Sequence, residues 1–367
     1  MPPEPRVIVI GPTPPPLHGV SVSTELLLAS LGQGVACHLD TRDERPVDTI
    51  GRFELENVRL GLKHAAQLIG LLRRNPGADV YLPISQGTGG FLRDSLFIGA
   101  ATVARRRVYI HLHGGSFADF HAGSGTVMRR VIAGVLRPVH EAWVLTPSLA
   151  GAFDGLIPRE RVRIVENAVS DPGPLERRGA AADGFNVLYM ANLFPTKGCF
   201  ELTRALRELG ERAAGWRVRF AGAAAPEVER RLREEAAELS RAGIAVELAG
   251  VVSGEAKRAA LGWADVFAYP THYPQEGQPL VLLEAMAAGL PIVSTRHAGI
   301  PDTVRDGTEA LLVEPHDTAA LGEALVRLAT DAELRADLGR NGRARYEERY
   351  TPARLAREVR AVWSAAA

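Results

Sequence analysis

Cysteine is scarce in this chain of 367 residues: there are two, Cys37 and Cys199. Two thiols cannot make a disulfide framework or a multi-cysteine zinc site. Net charge is missing as well, because 43 Lys+Arg balance 43 Asp+Glu. That excludes a protein held to nucleic acid mainly through phosphates, which carries a basic surplus. It also excludes a strongly polybasic membrane-surface protein. No run approaches the roughly 18 apolar residues that span a bilayer, and the most apolar stretch, Leu280 to Ser294, is interrupted by Glu284. The opening MPPEPRVIVIGP has no basic region ahead of a long apolar one, so no signal peptide is expected. After the first apolar run the chain reads Gly11-Pro-Thr-Pro-Pro-Pro-Leu-His-Gly. The lack of G-x-G-x-x-G there argues against a nicotinamide-dependent dehydrogenase. A P-loop, H-E-x-x-H and G-x-S-x-G are absent too. A cytoplasmic protein is expected.

What is present is ample core material. Hydrophobic residues make up 46% of the chain, enough for the two domains its length suggests. Short apolar runs alternate with helix-length segments. Strands are expected at Arg6–Ile10, Val35–Leu39, Asp79–Leu82, Arg107–His111, Ala142–Leu145 and Val162–Val165. Between them lie helices near Val20–Leu31, Leu55–Arg73, Phe91–Ala104 and Thr126–Arg137, with Leu60, Lys63, His64, Gln67 and Leu71 marking one helical spacing. Such alternation implies a parallel sheet with helices on both faces. Pro, Gly and Ala then interrupt the pattern in Asp171-Pro-Gly-Pro and Arg177–Gly184, which read as a linker. The alternation restarts with strands at Phe185–Met190, Arg217–Ala221, Ala245–Leu248, Val266–Tyr269 and Ile292–Ser294. Three helices, near Thr318–Ala329, Asp331–Tyr350 and Pro352–Trp363, end the chain. The expected fold class is α/β, with two open parallel-sheet domains. Ligands of such sheets sit beyond the carboxyl ends of the strands, so the cleft between the domains is the expected site.

The most informative string is Glu276-Gly-Gln-Pro-Leu-Val-Leu-Leu-Glu284-Ala-Met-Ala-Ala-Gly289-Leu-Pro291. Pro279 suits the start of a helix and Gly289 its end. Amides at a helix start hold anions, and a carboxylate can accept two hydrogen bonds from a sugar diol. Read as a bare pair, Glu276 and Glu284 would be a capping and a solvent-facing glutamate. The whole string resembles the retaining, family 4 type of GT-B-fold glycosyltransferase (glycosyl transferases group 1). Its signature is E-G-x-P-L-x-x-x-E-A-M-A-x-G-x-P. The resemblance continues through Val293-Ser-Thr-Arg-His-Ala-Gly299-Ile-Pro301 and Asp306-Gly307.

The resemblance implies two Rossmann-like domains facing across a cleft, with the last helix crossing back to the first. Residues 1–170, completed by about 352–367, would bind the acceptor. Residues 171–184 would link them, and residues 185–351 would bind the nucleotide-sugar. Glu284 would take the ribose hydroxyls and Glu276 the donor sugar, while Gly277, Gln278 and Leu280 would face the sugar or diphosphate. In Ala191-Asn192-Leu-Phe-Pro-Thr-Lys197-Gly198, Lys197 matches the lysine that neutralises the donor diphosphate. Asn192 stands where the family carries arginine, which removes one cation. Near the first strand, Pro14-Pro-Pro-Leu-His18-Gly19 keeps one glycine of the family's pair. Gly19 is expected near the donor phosphate, with His18 beside it. His111-Leu-His113 ends the fourth strand; His113 matches a family histidine near the donor sugar, and His111 has the same side-chain phase. Glu166-Asn167-Ala168-Val169 matches a hinge stretch. Val252, in Leu248-Ala-Gly250-Val251-Val252, matches a segment that meets the nucleobase.

The implied chemistry is retaining transfer, in which the leaving phosphate accepts the acceptor's proton. It needs no cofactor and no metal. The ten histidines show no i, i+4 ligand spacing, and His111-x-His113 lacks a third ligand in the sequence. The first domain resembles bacterial members linked to exopolysaccharide, capsule or lipopolysaccharide assembly, which implies a lipid-linked saccharide acceptor at the inner face of the membrane. A soluble small-molecule acceptor and a non-catalytic sugar-nucleotide-binding subunit are the alternatives. Residues 1–170 hold 18 Lys+Arg against 15 Asp+Glu, and residues 171–367 hold 25 against 28. The first domain is thus the more basic, with Arg73-Arg74, Arg105-Arg106-Arg107 and Arg129-Arg130. That leaves room for weak contact with an anionic membrane and none for a nucleic-acid partner.

Overall fold

A computed structural model describes residues 6–15, 18–42, 55–176 and 184–364. It divides into two units: unit 1 is Met1–Ala168 with Pro352–Ala367, and unit 2 is Val169–Thr351. Part of the expected linker, residues 177–183, lies outside the described residues.

Unit 1 runs β1 (Val7–Gly11), α1 (Gly19–Leu31), β2 (Val35–Asp40), α2 (Leu55–Arg74), β3 (Asp79–Pro83), α3 (Thr88–Val103), β4 (Val108–Leu112), α4 (Phe117–Gly123), α5 (Thr126–Leu136), β5 (Glu141–Val144) and β6 (Val162–Ile164). Its sheet has the order β2-β1-β3-β4-β5-β6, and every pairing is parallel. Strands buried on both faces must be apolar throughout, and VIVIG in β1 and VYIHL in β4 are fully buried. One face carries a core that includes Ile8, Val80, Phe91 and Ile110. The other holds Val7, Val9, Tyr81, Tyr109 and Trp143 together with Leu355, Val359, Val362 and Trp363 from the last helix. In α2 the buried stripe is Gly61, His64, Leu68 and Leu72, while Lys63 and Gln67 are exposed. The spacing expected from the sequence was therefore rotated by about one residue, because Leu62 and Ile69 spend their apolar surface on solvent.

Unit 2 runs β7 (Asn186–Met190), α6 (Cys199–Leu209), β8 (Arg217–Ala221), α7 (Pro226–Arg241), β9 (Ala245–Gly250), α8 (Gly254–Trp263), β10 (Val266–Tyr269), α9 (Leu280–Ala287), β11 (Ile292–Thr295), α10 (Ile300–Thr303), β12 (Ala310–Val313), α11 (Thr318–Thr330) and α12 (Ala332–Arg349). The remaining helix, α13 (Pro352–Ser364), belongs to unit 1. The sheet order is β12-β11-β10-β7-β8-β9, again parallel throughout. Strand order reverses between β7 and β10, which is where open α/β sheets open a crevice for ligands.

The short apolar helix α9 is fixed by α12, which crosses it at small residues. A Cβ on Gly339 would lie 2.5 Å from the Gly289 carbonyl oxygen, so glycine is what allows the two backbones to approach. The described part of the linker does not hang free. Asp171 pairs with Arg343 of α12, and the Pro174 carbonyl accepts from Arg258 of α8.

Candidate functional site

Unit 2 gathers its polar side chains at the β7/β10 switch point. After β7 the chain passes Asn192, whose carbonyl accepts the Phe194 amide at 2.8 Å. It then makes one tight turn over Pro195–Lys197. The Tyr189 hydroxyl donates to the Lys197 carbonyl at 2.9 Å, so the buried end of the strand sets the height of that turn. Gly198 follows at φ +86°, and a Cβ there would lie 2.1 Å from the Pro270 carbonyl oxygen. Only glycine admits both the left-handed backbone and the close approach.

These constraints aim Lys197 at the loop after β10. Its Nζ lies 3.8 Å from Glu276 Oε2 and 5.0 Å from the centre of the Tyr273 ring. An ammonium over an aromatic face is attracted to it. Glu276 is buried, 7% exposed, and a buried carboxylate is costly unless hydrogen-bonded. The Tyr269 hydroxyl donates to its Oε2 at 2.7 Å and Thr271 Oγ1 at 3.2 Å. Burial, and then the Glu276 charge, push the Tyr269 hydroxyl well above the usual phenol range, so it stays a donor. Among the described residues these contacts all fall on Oε2 and none on Oε1. Glu276 is thus neither a cap nor a solvent-facing residue.

Gly277 and Gln278 are buried just beyond it. Pro279 is the cap residue rather than part of the first turn, and Leu280 opens α9. Glu284 lies one turn further on, and its Oε1 accepts from Lys257 Nζ at 2.7 Å. Lys257 comes from α8 and was not a sequence candidate. No motif marks it, because its meaning comes from an ion pair with a residue of another helix, α9. Val252 is half-buried after β9 and packs on the edge of the core. The structure therefore brings Asn192, Lys197, Val252, Glu276, Gly277, Gln278, Leu280 and Glu284 into unit 2, in the loops after β7, β9 and β10 and in α9.

Unit 1 holds the other candidates. His18 caps α1: the Ser21 amide donates to His18 Nδ1 at 3.2 Å, and the His18 amide donates to Ser21 Oγ at 3.1 Å. His18 has a structural task that the sequence reading did not assign. Gly19 is exposed, and a Cβ there would meet nothing within 4 Å. His113 packs against His111 with ring centres 4.1 Å apart and planes tilted by 42°. His111 Nε2 lies 3.2 Å from the Val165 carbonyl and its Nδ1 lies 2.9 Å from the Tyr81 hydroxyl. A carbonyl can only accept, so Nε2 carries the proton and Tyr81 donates to Nδ1. His113 Nε2 then points its N–H at the Tyr81 oxygen over 3.5 Å. Its Nδ1 is buried with no hydrogen-bond partner among the described residues.

Burial, and then the charge of His18, pull His113 from 6.5 to about 4, so it is neutral at pH 7. Burial shifts His111 in the same direction. Both side chains protonate more readily in the unfolded chain. As pH falls from 6.5 towards 4 the unfolded state takes up protons that the folded state refuses, so stability drops. The expected result is a melting temperature that falls over this window in the wild type and less steeply in His113→Asn. Equal slopes in a pH series of thermal melts would remove His113 from this balance.

Residues 176–345 match the model for glycosyl transferases group 1, which is nearly all of unit 2. A protein of Escherichia coli strain K12 named as a colanic acid biosynthesis glycosyltransferase, WcaL, is 31% identical over 212 residues. The match takes in 55% of this chain and 48% of WcaL, so the chain spans about half of that relative. The GDP-mannose-dependent alpha-(1-6)-phosphatidylinositol monomannoside mannosyltransferase of Mycolicibacterium smegmatis is 29% identical over 299 residues, covering 80% of this chain and 72% of its own. Among solved structures, Anabaena HepE in complex with UDP and glucose superposes with a TM-score of 0.70 at 16% identity, covering 98% of this chain and 99% of HepE. At that identity the likeness concerns the fold, which is that of the GT-B glycosyltransferases. Among the described residues no helix is long and apolar enough to cross a membrane. The match over residues 176–345 makes unit 2 similar to the glycosyl transferases of group 1.

Proposed function

We propose that the chain moves a sugar from a nucleoside-diphosphate sugar to a hydroxyl acceptor with retention of anomeric configuration. The observation that carries this reading is the Lys197–Glu276 pair at the switch point of unit 2, a cation and a hydrogen-bonded carboxylate 3.8 Å apart. Leaving a sugar develops negative charge on the diphosphate, and a fixed ammonium stabilises it. Glu276 is assigned to the donor sugar's hydroxyls through Oε1, and Glu284 to the ribose diol. The first-turn amides of α9 and the backbone at Gly277, Gln278 and Leu280 are assigned to the sugar or the diphosphate. Asn192 lines the same loop without a charge, and Val252 is assigned to the nucleobase. The leaving phosphate takes the acceptor's proton, so no protein nucleophile, cofactor or metal enters the step. Unit 1 is assigned the acceptor, with Gly19 assigned to the donor phosphate and His113 to the donor sugar.

The names of WcaL and of the mannosyltransferase support a saccharide acceptor, lipid-linked in polysaccharide assembly. On this reading the chain works in the cytoplasm at the inner membrane face, with the basic unit 1 touching anionic lipid. Salt-sensitive sedimentation with anionic liposomes tests that contact. The function itself is tested by incubating UDP-, GDP- and ADP-sugars with polyprenyl-diphosphate saccharides and reading products by mass spectrometry. A sugar-mass increment on the acceptor is expected. Turnover confined to soluble acceptors would overturn the lipid assignment, and binding without turnover would overturn transfer.

Glu284→Ala should weaken binding of the matching nucleotide by about 10- to 100-fold, since hydrogen bonds to a charged group contribute roughly 1.5–3 kcal/mol. Lys257→Met should weaken it less, because it removes only the partner that orients Glu284. Isothermal titration with nucleoside diphosphates checks both, and unchanged affinity in Glu284→Ala would take that residue out of the ribose site.

A further inference from the structure

Three residues of unit 2 that no motif joins converge beside the Lys197 turn. Glu201 lies in the first turn of α6, His272 in the loop after β10, and His316 in the turn between β12 and α11. His316 Nδ1 lies 3.3 Å from Glu201 Oε1, and His272 Nδ1 lies 3.7 Å from the same oxygen. The two imidazole ligand atoms are no more than 4.8 Å apart. Four ligands at about 2.0–2.1 Å around a tetrahedral zinc lie about 3.4 Å from one another. Two edges of this triangle already match that spacing, and the third closes by turning His316, the exposed member.

A structural reading accounts for part of the cluster. Glu201 can accept a hydrogen bond from His316, and its charge suits the start of α6. It does not account for His272 Nδ1 and Glu201 Oε2, which are both buried with no hydrogen-bond partner among the described residues. Nor does it account for the His316 backbone, held at φ +67°, a conformation that a non-glycine residue adopts at a cost. We propose that Glu201, His272 and His316 form a binding site for a divalent transition-metal ion, with zinc the best fit. Two neutral imidazoles and a carboxylate, with a fourth position open to water, are a donor set zinc accepts.

The ion would act on structure rather than in the transfer step. The His272 amide donates to the Thr196 carbonyl at 2.9 Å, one residue before Lys197. Glu201 follows Lys197 by four positions. Metal occupancy would therefore tie together the turn that carries Lys197, the loop that leads to Glu276, and the β12–α11 turn. His297, whose Nε2 lies 2.8 Å from the Tyr273 carbonyl, stands nearby outside the ligand set. The site does not depend on the proposed transfer activity, because binding is read without donor or acceptor.

The test uses the untagged full chain stripped with a chelator and titrated with zinc alone, and separately with cobalt. One zinc per chain is expected, with a raised melting temperature and, for cobalt, the intense visible absorption of a four-coordinate site. His316→Ala changes an exposed side chain, and Glu201→Gln keeps the shape of the carboxylate. Each should weaken zinc binding at least about 100-fold, beyond the 10- to 100-fold typical of losing a mere supporting partner, and should abolish the cobalt spectrum. No stoichiometric uptake by the wild type, or equal uptake by wild type and both variants, would overturn the proposal.

Discussion

Lys197→Met should lower kcat by about 10²- to 10³-fold and change nucleotide affinity far less. One donor aimed at a developing anion is worth that much in an enclosed site. The split between kcat and affinity follows from the geometry. In the resting site Nζ already faces Glu276 and the Tyr273 ring, so its charge is partly balanced before any ligand arrives. Extra charge on the leaving diphosphate then makes the largest difference in the transition state, and only such differential binding raises kcat. Methionine keeps the apolar stem over Tyr273 and removes the charge alone. A kcat within twofold of the wild type, with a folded variant, would show that Lys197 does not meet the diphosphate.

Gly198→Ala should destabilise unit 2 by about 2–5 kcal/mol, combining left-handed strain with overpacking. The backbone sits at φ +86°, and the new methyl would lie 2.1 Å from the Pro270 carbonyl oxygen. That oxygen is backbone directly after β10, in the middle of the sheet, so it cannot rotate away as a side chain could. Relief would have to come from the turn itself, which would move Lys197. Urea melts should show the loss, and residual activity should fall further than stability predicts. Gly19→Ala is the control: its Cβ meets nothing within 4 Å, so its stability should be unchanged. A loss below about 1 kcal/mol in Gly198→Ala would mean that the turn is soft and does not position Lys197.

The strands of both sheets were legible because parallel strands buried on both faces are continuous apolar runs, as in Val7–Gly11 and Val266–Tyr269. Errors arose where that rule weakens. β12, Ala310–Val313, lies at the edge of its sheet and carries a weaker signal, and α4 is only seven residues long. The α2 stripe was misjudged because exposed Leu62 and Ile69 blur its period. Within the site, Lys197, Glu276 and Glu284 could be picked out because they sit inside one linear pattern. Their partners could not. Tyr269 and Thr271 look like ordinary strand-end residues until their hydroxyls are seen on Glu276. Lys257 is 27 positions from Glu284. Glu201, His272 and His316 stand on three separate segments, a grouping that linear spacing does not report. The role of His18 as a cap was hidden because histidine is an uncommon N-cap choice.

The most direct test of the account is proton NMR of the product formed by the wild-type chain from its matched nucleotide-sugar and acceptor. The anomeric signal reads the configuration of the new linkage. The account predicts release of the nucleoside diphosphate and a product with the same anomeric configuration as the donor. An inverted product would contradict it, since the account has the leaving phosphate take the acceptor's proton, which requires attack on the face that the phosphate leaves.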